Sequence, residues 1–348
     1  MRVRHIIALL AVAALAYLLL WPTDFAPVAF APAAPPAWEG ALAVDDALTD
    51  VPTLGTVGEE PEDIAVDADG KLYTGLRDGH LMTFTPGAKD WFPLTVTYGR
   101  PLGLAFSPDD RWLYIADAVK GLMRCDKQGH LERLVDTLNG RDLGLVDDVA
   151  VAADGRVYFT TATTDYAWDD YETALLEHRG TGKLLRYDPQ AKELTLLLDD
   201  LQFANGVAIT PDQRAVLVAE TGNYRILRYD LARGEATPYA DNLPGFPDGL
   251  NYDDGGLLWV SLPSRRNALL DRLGPHPFLR GIVDKLPPGL KPETERYGLT
   301  VALDRDGRAV ESLHDPTGRF AGVSNTVWRG DTAYLGSILG REVGVFVR

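Results

Sequence analysis

Four oxygen-bearing side chains occupy matching positions in the sequence, each directly before or at the start of a short apolar run. They are Glu62, Asp147, Asn205 and Asp248. Hard cations such as Ca²⁺ prefer carboxylate and amide oxygens, and three carboxylates brought together without a cation would repel one another. No histidine or cysteine occupies these positions, which disfavours zinc. The pattern predicts that the four side chains converge on a divalent cation, with Ca²⁺ as the first candidate. The alternative is an ordinary role in turns, of which the pair Asn205-Gly206 is typical.

For these side chains to meet, the strands that follow them must radiate from one axis. From about residue 42 onward, a unit of an apolar strand, an Asp/Gly-type turn and a second apolar strand recurs six times. A third and often a fourth strand follow, at roughly 40 to 60 residues per unit, which is typical of propeller blades. The sequence therefore predicts an all-β fold, a six-bladed β-propeller over residues 42–348. We expect a strand near Pro52 to Val57 to pair with the last blade and close the ring.

Two segments interrupt this rhythm. Residues 165–180 are polar and aromatic, and residues 264–297 have an apolar periodicity that favours a helix over one face. Segments this long are often functional lids, with surface decoration as the alternative. We expect Trp168 and Tyr171 to contact substrate. His178 is a candidate proton carrier, although a lone histidine in a loop is more often simply exposed.

The N-terminus has the composition of a membrane segment. Residues 1–5 are basic, and Ile6 to Trp21 carry no charge, which indicates a short membrane span or a long signal sequence. We predict an uncleaved anchor helix over residues 1–22, leaving cleavage open. A Pro/Ala-rich linker over residues 23–41 reads as a semi-rigid extended spacer. The basic end predicts a single-pass protein whose folded domain lies on the extracytoplasmic side, in the periplasm, the lumen or outside the cell.

Charge excludes one class of partner. The chain has 348 residues, with 34 basic against 50 acidic side chains and a net charge of −16. Such a surface repels phosphate backbones, so we expect no nucleic-acid binding. The single cysteine, Cys125, cannot form an intrachain disulfide, so the cysteine count does not identify the redox compartment.

Several strings resemble the strictosidine synthase-like branch of the calcium-dependent six-bladed propellers, especially the adipocyte plasma membrane-associated protein group. The strings are Gly99-Arg100-Pro101-Leu102-Gly103-Leu104, Ala116 to Leu122, Phe203 to Val207, Val218 to Thr221, Leu243 to Asp248 and Ser312 to Pro316. The resemblance extends from about residue 50 to the C-terminus. That group is similar in fold to the gluconolactonase/regucalcin and paraoxonase families. The resemblance implies that Glu62, Asp147, Asn205 and Asp248 are metal ligands and that Asp248 also acts as a general base.

The sequence departs from those relatives in three places. Strictosidine synthases carry a catalytic glutamate in the last blade, where this chain has Val323 to Val327 without one. Paraoxonases carry a catalytic histidine after a proline in the second blade, where this chain has Leu102, and they have a disulfide that this chain lacks. These differences disfavour an amine-condensing reaction and a histidine-dependent mechanism. We expect Leu102, Ser324 and Asn325 to bind substrate.

The leading hypothesis is a calcium-dependent hydrolase of small-molecule esters or lactones, similar to arylesterases and lactonases. The metal would polarise the carbonyl, and Asp248 or Asp147 would orient or deprotonate the attacking water. A membrane-tethered binding propeller with structural calcium is the alternative from another class, because a fold does not fix a function. A carbon–nitrogen lyase of the strictosidine synthase type is a third hypothesis, disfavoured by the missing glutamate.

Overall fold

The computed structural model describes residues 2–292 and 294–348, which form an N-terminal helix followed by a β-propeller. Four α-helices are present in this part of the chain: α1 (Arg2–Leu20), α2 (Tyr171–Glu177), α3 (Ala268–Leu273) and α4 (Pro277–Asp284). Short 3-10 segments cover Gly40–Leu42, Trp168–Asp170, Thr221–Asn223 and Pro288–Leu290. Helices α2, α3 and α4 therefore lie in the two segments that interrupt the strand repeat.

The strands form six antiparallel sheets of four, which are the blades. The first strand, β1 (Thr53–Thr56), belongs to the last blade. Blade 1 contains β2 (Ile64–Val66), β3 (Leu72–Gly75), β4 (His80–Phe84) and β5 (Phe92–Val96). Blade 2 contains β6 (Pro101–Phe106), β7 (Trp112–Asp117), β8 (Gly121–Asp126) and β9 (Leu131–Val135). A small hairpin of β10 (Thr137–Leu138) and β11 (Arg141–Asp142) follows blade 2.

The remaining blades repeat this order. Blade 3 contains β12 (Leu145–Val151), β13 (Val157–Thr163), β14 (Gly182–Asp188) and β15 (Glu193–Leu201). Blade 4 contains β16 (Ala204–Ile209), β17 (Ala215–Glu220), β18 (Arg225–Asp230) and β19 (Glu235–Ala240). Blade 5 contains β20 (Leu250–Tyr252), β21 (Leu258–Ser261), β22 (Gly298–Leu303) and β23 (Ala309–Asp315). Blade 6 contains β24 (Val323–Arg329), β25 (Thr332–Ser337) and β26 (Glu342–Val347), with β1 as its outer strand.

The ring closes through the pairing of β1 with β26. These strands are antiparallel, with Thr53 opposite Gly344 and Thr56 opposite Glu342. The N-terminal strand thereby covers the edge of the last blade, so that edge does not offer unpaired backbone groups to another chain. The predicted six-bladed propeller and its closing strand are confirmed.

Turn chemistry explains why the hairpins form where the repeats predicted them. In blade 1, Asp67 Oδ1 accepts a hydrogen bond from Lys71 N at 2.8 Å, and Gly70 has φ +82°. Blade 5 repeats this arrangement, with Asp253 Oδ1 accepting from Leu257 N at 2.9 Å and Gly256 at φ +84°. The aspartate fixes the turn, and the glycine takes up a backbone conformation that other residues rarely adopt.

Apolar side chains fill the space between neighbouring blades. At the junction of blades 5 and 6, for example, Trp259 and Trp328 are both buried and their ring centroids lie 5.0 Å apart. Aromatic pairs of this kind add about 0.5–1.5 kcal/mol beyond the free energy of burying their surface. This packing holds the blades at fixed angles around the axis.

The linker that we predicted as a spacer packs against the propeller instead. Residues 26–30, which we call the clip, lie between α2 and α4. Val28 N donates to Glu177 O at 2.9 Å, and the Phe30 ring stacks on His178 at 3.6 Å between centroids. Arg280, whose side chain is 1% exposed, donates to Leu176 O at 2.8 Å and also to Val28 O. The extended backbone is held because the inserted helices satisfy its polar groups.

The clip yields a first prediction, for the variant Arg280→Met. Loss of a buried charged donor that binds two carbonyls should weaken the clip by about 1.5–3 kcal/mol, which is roughly 10- to 100-fold faster exchange of the Val28 and Phe30 amides. Hydrogen exchange measured by mass spectrometry checks this. Arg272→Met, at an exposed site on α3, is the matched control and should leave both amides unchanged. Equal exchange in the two variants would contradict the described role of Arg280.

Candidate functional site

The inner strands bring the four predicted metal ligands to the propeller axis. Asp147 lies in β12 and Asn205 in β16, while Glu62 and Asp248 each stand two residues before an inner strand. All three carboxylates are largely buried and act on one another. Burial raises the pKa of Asp248 well above its ordinary value, and the charges of Glu62 and Asp147 raise it further. The three carboxylates are therefore close enough to act on one another, and their joint role as metal ligands with Asn205 stays a prediction.

The residues that follow Glu62 and Asp147 are aspartates, and both join neighbouring blades. Asp63 Oδ2 accepts a hydrogen bond from Leu104 N at 2.6 Å, which links blade 1 to blade 2. Asp148 Oδ2 accepts from Val207 N at 2.7 Å, which links blade 3 to blade 4 in the same way. A carboxylate that accepts backbone N–H groups is held in one orientation. These links fix the backbone that carries Glu62 and Asp147.

Glycines at the corresponding positions of the other blades leave room for these contacts. A Cβ atom on Gly103 would lie 2.5 Å from Asp148 Oδ1, and one on Gly206 would lie 2.1 Å from Asp248 O. Gly206 lies inside strand β16, so Asn205-Gly206 is not the turn that the dipeptide alone suggests. The glycine is required by the close approach of two inner strands. Asn205 is thereby free to point at the axis.

Two predicted substrate-binding residues, Ser324 and Asn325, take part in this ring of inter-blade bonds. The Ser324 hydroxyl donates to Glu62 O at 2.7 Å. The Asn325 amide donates to Asp63 Oδ1 and its carbonyl oxygen accepts from Asn251, so it ties blade 6 to both neighbours. Neither residue lines the cavity described below. Their side chains support the axial carboxylates, and contact with substrate stays a prediction.

Arg100 is a member of this site that the sequence analysis did not identify. Its side chain is 1% exposed, and its Nη2 lies 2.6 Å from Glu62 Oε2. A second nitrogen, Nη1, donates to Glu60 O at 3.2 Å. The string Gly99-Arg100-Pro101 entered the sequence analysis only as a family resemblance. The available signal was an arginine directly before an inner strand of an acidic axis, because a carboxylate is a common partner of a buried arginine.

The axial donor set fits a hard divalent cation by its chemistry. Within the described chain, no hydrogen bond reaches the side chains of Asp147, Asn205 or Asp248, although each is buried. Burial raises the pKa of Asp147 well above its ordinary value, and the negative charge of Glu62 raises it further. The same part of the chain holds no ready cluster of three or more His, Cys, Asp or Glu side chains for a metal. Glu62 is paired with Arg100, so a cation here would draw on the amide oxygen of Asn205 as well as on the carboxylates.

The raised pKa values predict how stability depends on pH when divalent cations are chelated. Burial raises the pKa of Asp148 from 3.8 to about 7, and those of Asp147 and Asp248 are raised too. Between the unfolded and folded pKa values the folded protein binds more protons than the unfolded chain, so its stability falls as pH rises through this window. We expect the midpoint of urea unfolding in chelator to be higher at pH 5 than at pH 7. A higher midpoint at pH 7 would contradict the assignment.

A cavity of about 200 Å³ opens beside the axis. Asn205 and Asp248 line it, together with the predicted substrate-binding residue Tyr171. Its other walls come from the clip, from α2 and from the inserted helices, through Phe30, His178, Leu270, Arg280 and Val283. The cavity therefore joins the axial oxygens to a largely apolar wall, which suits a substrate with one polar and one apolar part.

The other predicted substrate-binding residues lie behind the cavity wall. Leu102 and Trp168 pack with Phe203 and Tyr171 in one apolar cluster. Trp168 is also covered by Arg77, whose guanidinium carbon lies 4.4 Å from the ring centroid. Neither Leu102 nor Trp168 lines the cavity, so they position Tyr171 and Phe203, and their contact with substrate stays a prediction.

His178 is buried in the cavity wall, not exposed as a lone loop histidine usually is. Burial lowers its pKa to about 4, and the nearby Arg280 charge acts in the same direction. The imidazole is therefore neutral at pH 7. Its ring stacks on Phe30, so its first role is to hold the clip against the cavity.

A serine–histidine pair lies in blade 5. Ser312 Oγ lies 2.8 Å from His314 Nε2, and Tyr297 Oη lies 2.9 Å from Nδ1. The Ser312 hydroxyl donates to Ala41 O at 2.8 Å, so its oxygen accepts from Nε2–H, and Tyr297 donates to Nδ1. The imidazole consequently has no free lone pair with which to take the serine proton. The pair fastens the end of the linker and is not a nucleophile with its base.

The first helix meets the requirements of a membrane span by length and composition. Its window Val3–Leu20 has a mean hydropathy of 2.2 and is not buried against the propeller. A signal sequence has the same properties. Lys285 Nζ on the segment after α4 donates to Leu18 O at 3.2 Å, so the end of α1 lies beside the inserted helices.

Comparison with known proteins places this geometry in a family. The model of the strictosidine synthase family matches residues 147–234, and that of the strictosidine synthase-like N-terminal family matches residues 40–84. Adipocyte plasma membrane-associated protein of Salmo salar is 34% identical over 307 residues, which cover 80% of this chain and 73% of the relative. At that identity and coverage the two chains share a fold and an ancestor.

Solved structures of lower identity share the fold. A gluconolactonase from Xanthomonas campestris superposes with a TM-score of 0.63 at 19% identity, covering 94% of this chain and 98% of the other. Regucalcin from Agrobacterium tumefaciens, a calcium-binding protein, gives a TM-score of 0.58 at 17% identity over 85% and 95% of the two chains. The solved structures show the fold, and the relationship to the salmon protein shows the family: the chain belongs to the adipocyte plasma membrane-associated and strictosidine synthase-like proteins.

Proposed function

We propose that the protein is a divalent-cation-dependent hydrolase of small-molecule esters or lactones, with Ca²⁺ as the natural cation. The observation that carries this proposal is that Asn205 and Asp248 line the cavity and that no hydrogen bond from the described chain reaches their side chains. Their oxygens are therefore available to a ligand, an ion or water in the cavity. Their position at the end of an apolar cavity supports a role in binding substrate.

The relatives support the chemistry at the level of the fold. One structural neighbour is named a gluconolactonase and another a calcium-binding regucalcin, and both share the propeller. Ester and lactone cleavage need the same two things, a way to polarise a carbonyl and a way to activate water. The axial oxygens of Glu62, Asp147, Asn205 and Asp248 are of the types that hold such a cation.

A divalent cation held by these four residues would supply Lewis acidity toward the substrate carbonyl. The chain's own contribution is to place groups around the carbonyl and to move protons. Asp248, which faces the cavity, orients the attacking water and accepts its proton as the water oxygen bonds to the carbonyl carbon. Burial raises the pKa of Tyr171, with the charges of Glu172 and Glu62 acting in the same direction. Its phenol therefore stays protonated and can donate a hydrogen bond to the leaving oxygen.

We also propose that α1 remains as a single-pass membrane anchor and that the propeller lies on the extracytoplasmic side. The basic first residues of the chain favour this orientation, because positively charged flanks stay in the cytoplasm. The packed clip supports retention of the helix, since only a few residues separate α1 from segments that belong to the propeller.

The experiment is hydrolysis of a panel of aryl esters and lactones by the purified full chain, before and after chelation and after return of Ca²⁺. We expect chelation to abolish turnover and Ca²⁺ to restore it. Asp147→Asn removes one axial charge and should lower kcat/KM by about 10²–10³-fold. Asp154→Asn is the matched control, since it makes the same substitution in an exposed turn of the same blade.

Two outcomes would separate the hypotheses. Full turnover in chelator and in Asp147→Asn would contradict a metal-dependent hydrolase. A Ca²⁺-dependent rise in melting temperature without turnover over the whole panel would favour the binding propeller, in which the cation is structural.

A further inference from the structure

We propose that the inserted helices form a docking surface for a lipid bilayer and that the membrane covers the face above the cavity. This surface, the lid face, consists of Val28, Leu269, Phe278, Leu279 and Leu290, which are all exposed apolar side chains. Phe278 is 63% exposed and Leu290 68% exposed. The proposal rests on the membrane anchor proposed above and does not depend on hydrolysis.

The length of the tether limits how far the lid face can lie from the bilayer. Only residues 21–25 separate the end of α1 at Leu20 from the clip at Ala26. Six steps of chain span at most about 20 Å, even when fully extended. Ala26 N donates to Glu177 Oε1 at 2.6 Å, which fixes it beside α2. When α1 spans the bilayer, the clip and the helices that hold it must therefore lie at or near the membrane surface.

A direct contact between the inserted segment and the anchor also places the inserted helices near the membrane surface. Lys285, one residue after α4, reaches the carbonyl oxygen of Leu18 at the end of the anchor. A lysine beside the end of a membrane span can place its charge at the interface while its stem remains in apolar surroundings. Lys285 has this position relative to the anchor, although it belongs to the inserted segment. Phe278 and Leu279 belong to the same short helix and are left exposed by the rest of the protein.

Charge separates this face from the rest of the surface. The inserted segment 264–297 carries seven basic against four acidic residues, whereas the whole chain carries a net charge of −16. The side chains of Arg280 and Arg266 are buried. Arg265 pairs with Glu295 and Lys291 with Asp284, so the exposed charges of this segment nearly balance. A nearly neutral, apolar surface on an acidic protein is not repelled by anionic headgroups and can insert into the acyl chains of a membrane. An acidic soluble partner would leave the apolar side chains without a purpose.

The cavity explains why this placement matters. Its walls include Leu270, Arg280 and Val283 from the inserted helices and Phe30 from the clip, so these elements stand between the axial oxygens and the bilayer. A molecule dissolved in the membrane has only to pass this layer in order to reach Asp248. The partner of the lid face is therefore the bilayer itself, from which an amphiphilic substrate can enter.

Site-directed spin labelling tests the proposal on the full chain in lipid nanodiscs that contain an anionic lipid. The native Cys125 is buried, and burial raises its thiol pKa to about 12, so it will not react. Single cysteines replace Phe278, Leu279 or Leu290 on the lid face. Matched controls are Phe92→Cys and Val310→Cys, which are also exposed apolar positions but lie on β5 and β23. Leu10→Cys reports on the anchor.

We expect oxygen, which dissolves in lipid, to relax the lid labels and the Leu10 label more than a water-soluble nickel chelate does. We expect the chelate to relax the control labels more than oxygen does. A lid label as accessible to nickel as the controls, with Leu10 inside the lipid, would overturn the docking surface and leave the anchor in place. A Leu10 label accessible to nickel would overturn both. Because the measurement involves no turnover, neither result bears on the hydrolase proposal.

Discussion

Asp248→Asn should stabilise the protein in chelator and yet abolish its activity. In the absence of cations, the Asp248 carboxylate is buried among other negative charges, and its raised pKa shows that the charged form is disfavoured. The isosteric amide removes that repulsion, so the free energy of unfolding in chelator should rise. The same change removes both a candidate ligand and the group that accepts the proton from water. We expect kcat/KM to fall by about 10²–10³-fold or more.

The two effects are measured on the same samples. Urea unfolding with and without Ca²⁺ reports the linkage, because a cation at about 100 times its Kd stabilises the wild type by about 2.7 kcal/mol. Asp248→Asn should lose most of that gain. Asp69→Asn, in an exposed turn, is the control and should keep both the gain and the activity. A variant that is destabilised in chelator but still gains stability from Ca²⁺ would place Asp248 outside the site.

Arg100→Gln should destabilise the propeller by about 3–5 kcal/mol, because it leaves Glu62 buried without its cationic partner. Arg100 is also the only described cation in direct contact with an axial carboxylate. Without it, the repulsion among Glu62, Asp147 and Asp248 has no counter-charge from the protein. Ca²⁺ should therefore stabilise this variant more than it stabilises the wild type, and unfolding curves at a series of Ca²⁺ concentrations measure the difference.

Arg77 provides a matched control for Arg100. Both arginines pair with Glu60 and lie over the Trp168 ring, but the Arg77 side chain is 41% exposed. Arg77→Gln should cost about 0.2–1 kcal/mol, as exposed ion pairs do. Equal losses of stability in the two variants would mean that burial of the Arg100–Glu62 pair is not what stabilises the axis.

Periodicity was sufficient to predict the blades from the sequence, because strand alternation and Asp/Gly turns are local signals. The axial residues Glu62, Asp147, Asn205 and Asp248 were also accessible, since repeats place equivalent residues at equivalent points in space. Asn205-Gly206 shows the limit of local signals. The dipeptide looks like a turn when viewed alone. Its glycine is in fact needed because Asp248 O, more than 40 residues away in sequence, approaches too closely for a side chain.

Other features depended on contacts that no local pattern records. The linker reads as a spacer because proline and alanine dominate it, but its backbone is held by Glu177 and Arg280 from two distant insertions. His178 reads as an exposed loop residue until Phe30 covers it. Arg100 is visible in the sequence only as part of a resemblance, because its partner Glu62 lies in the preceding blade.

The pairing of β1 with β26 has a consequence for how the protein is made. While a ribosome is still synthesising blades 2 to 5, β1 has already emerged and has no strand to pair with. Pairings between residues so far apart in sequence form slowly. The nascent chain therefore carries an unpaired strand near its N-terminus throughout translation, and a product truncated before Glu342 never covers it. Chaperones that bind extended segments should be needed until the last blade is complete.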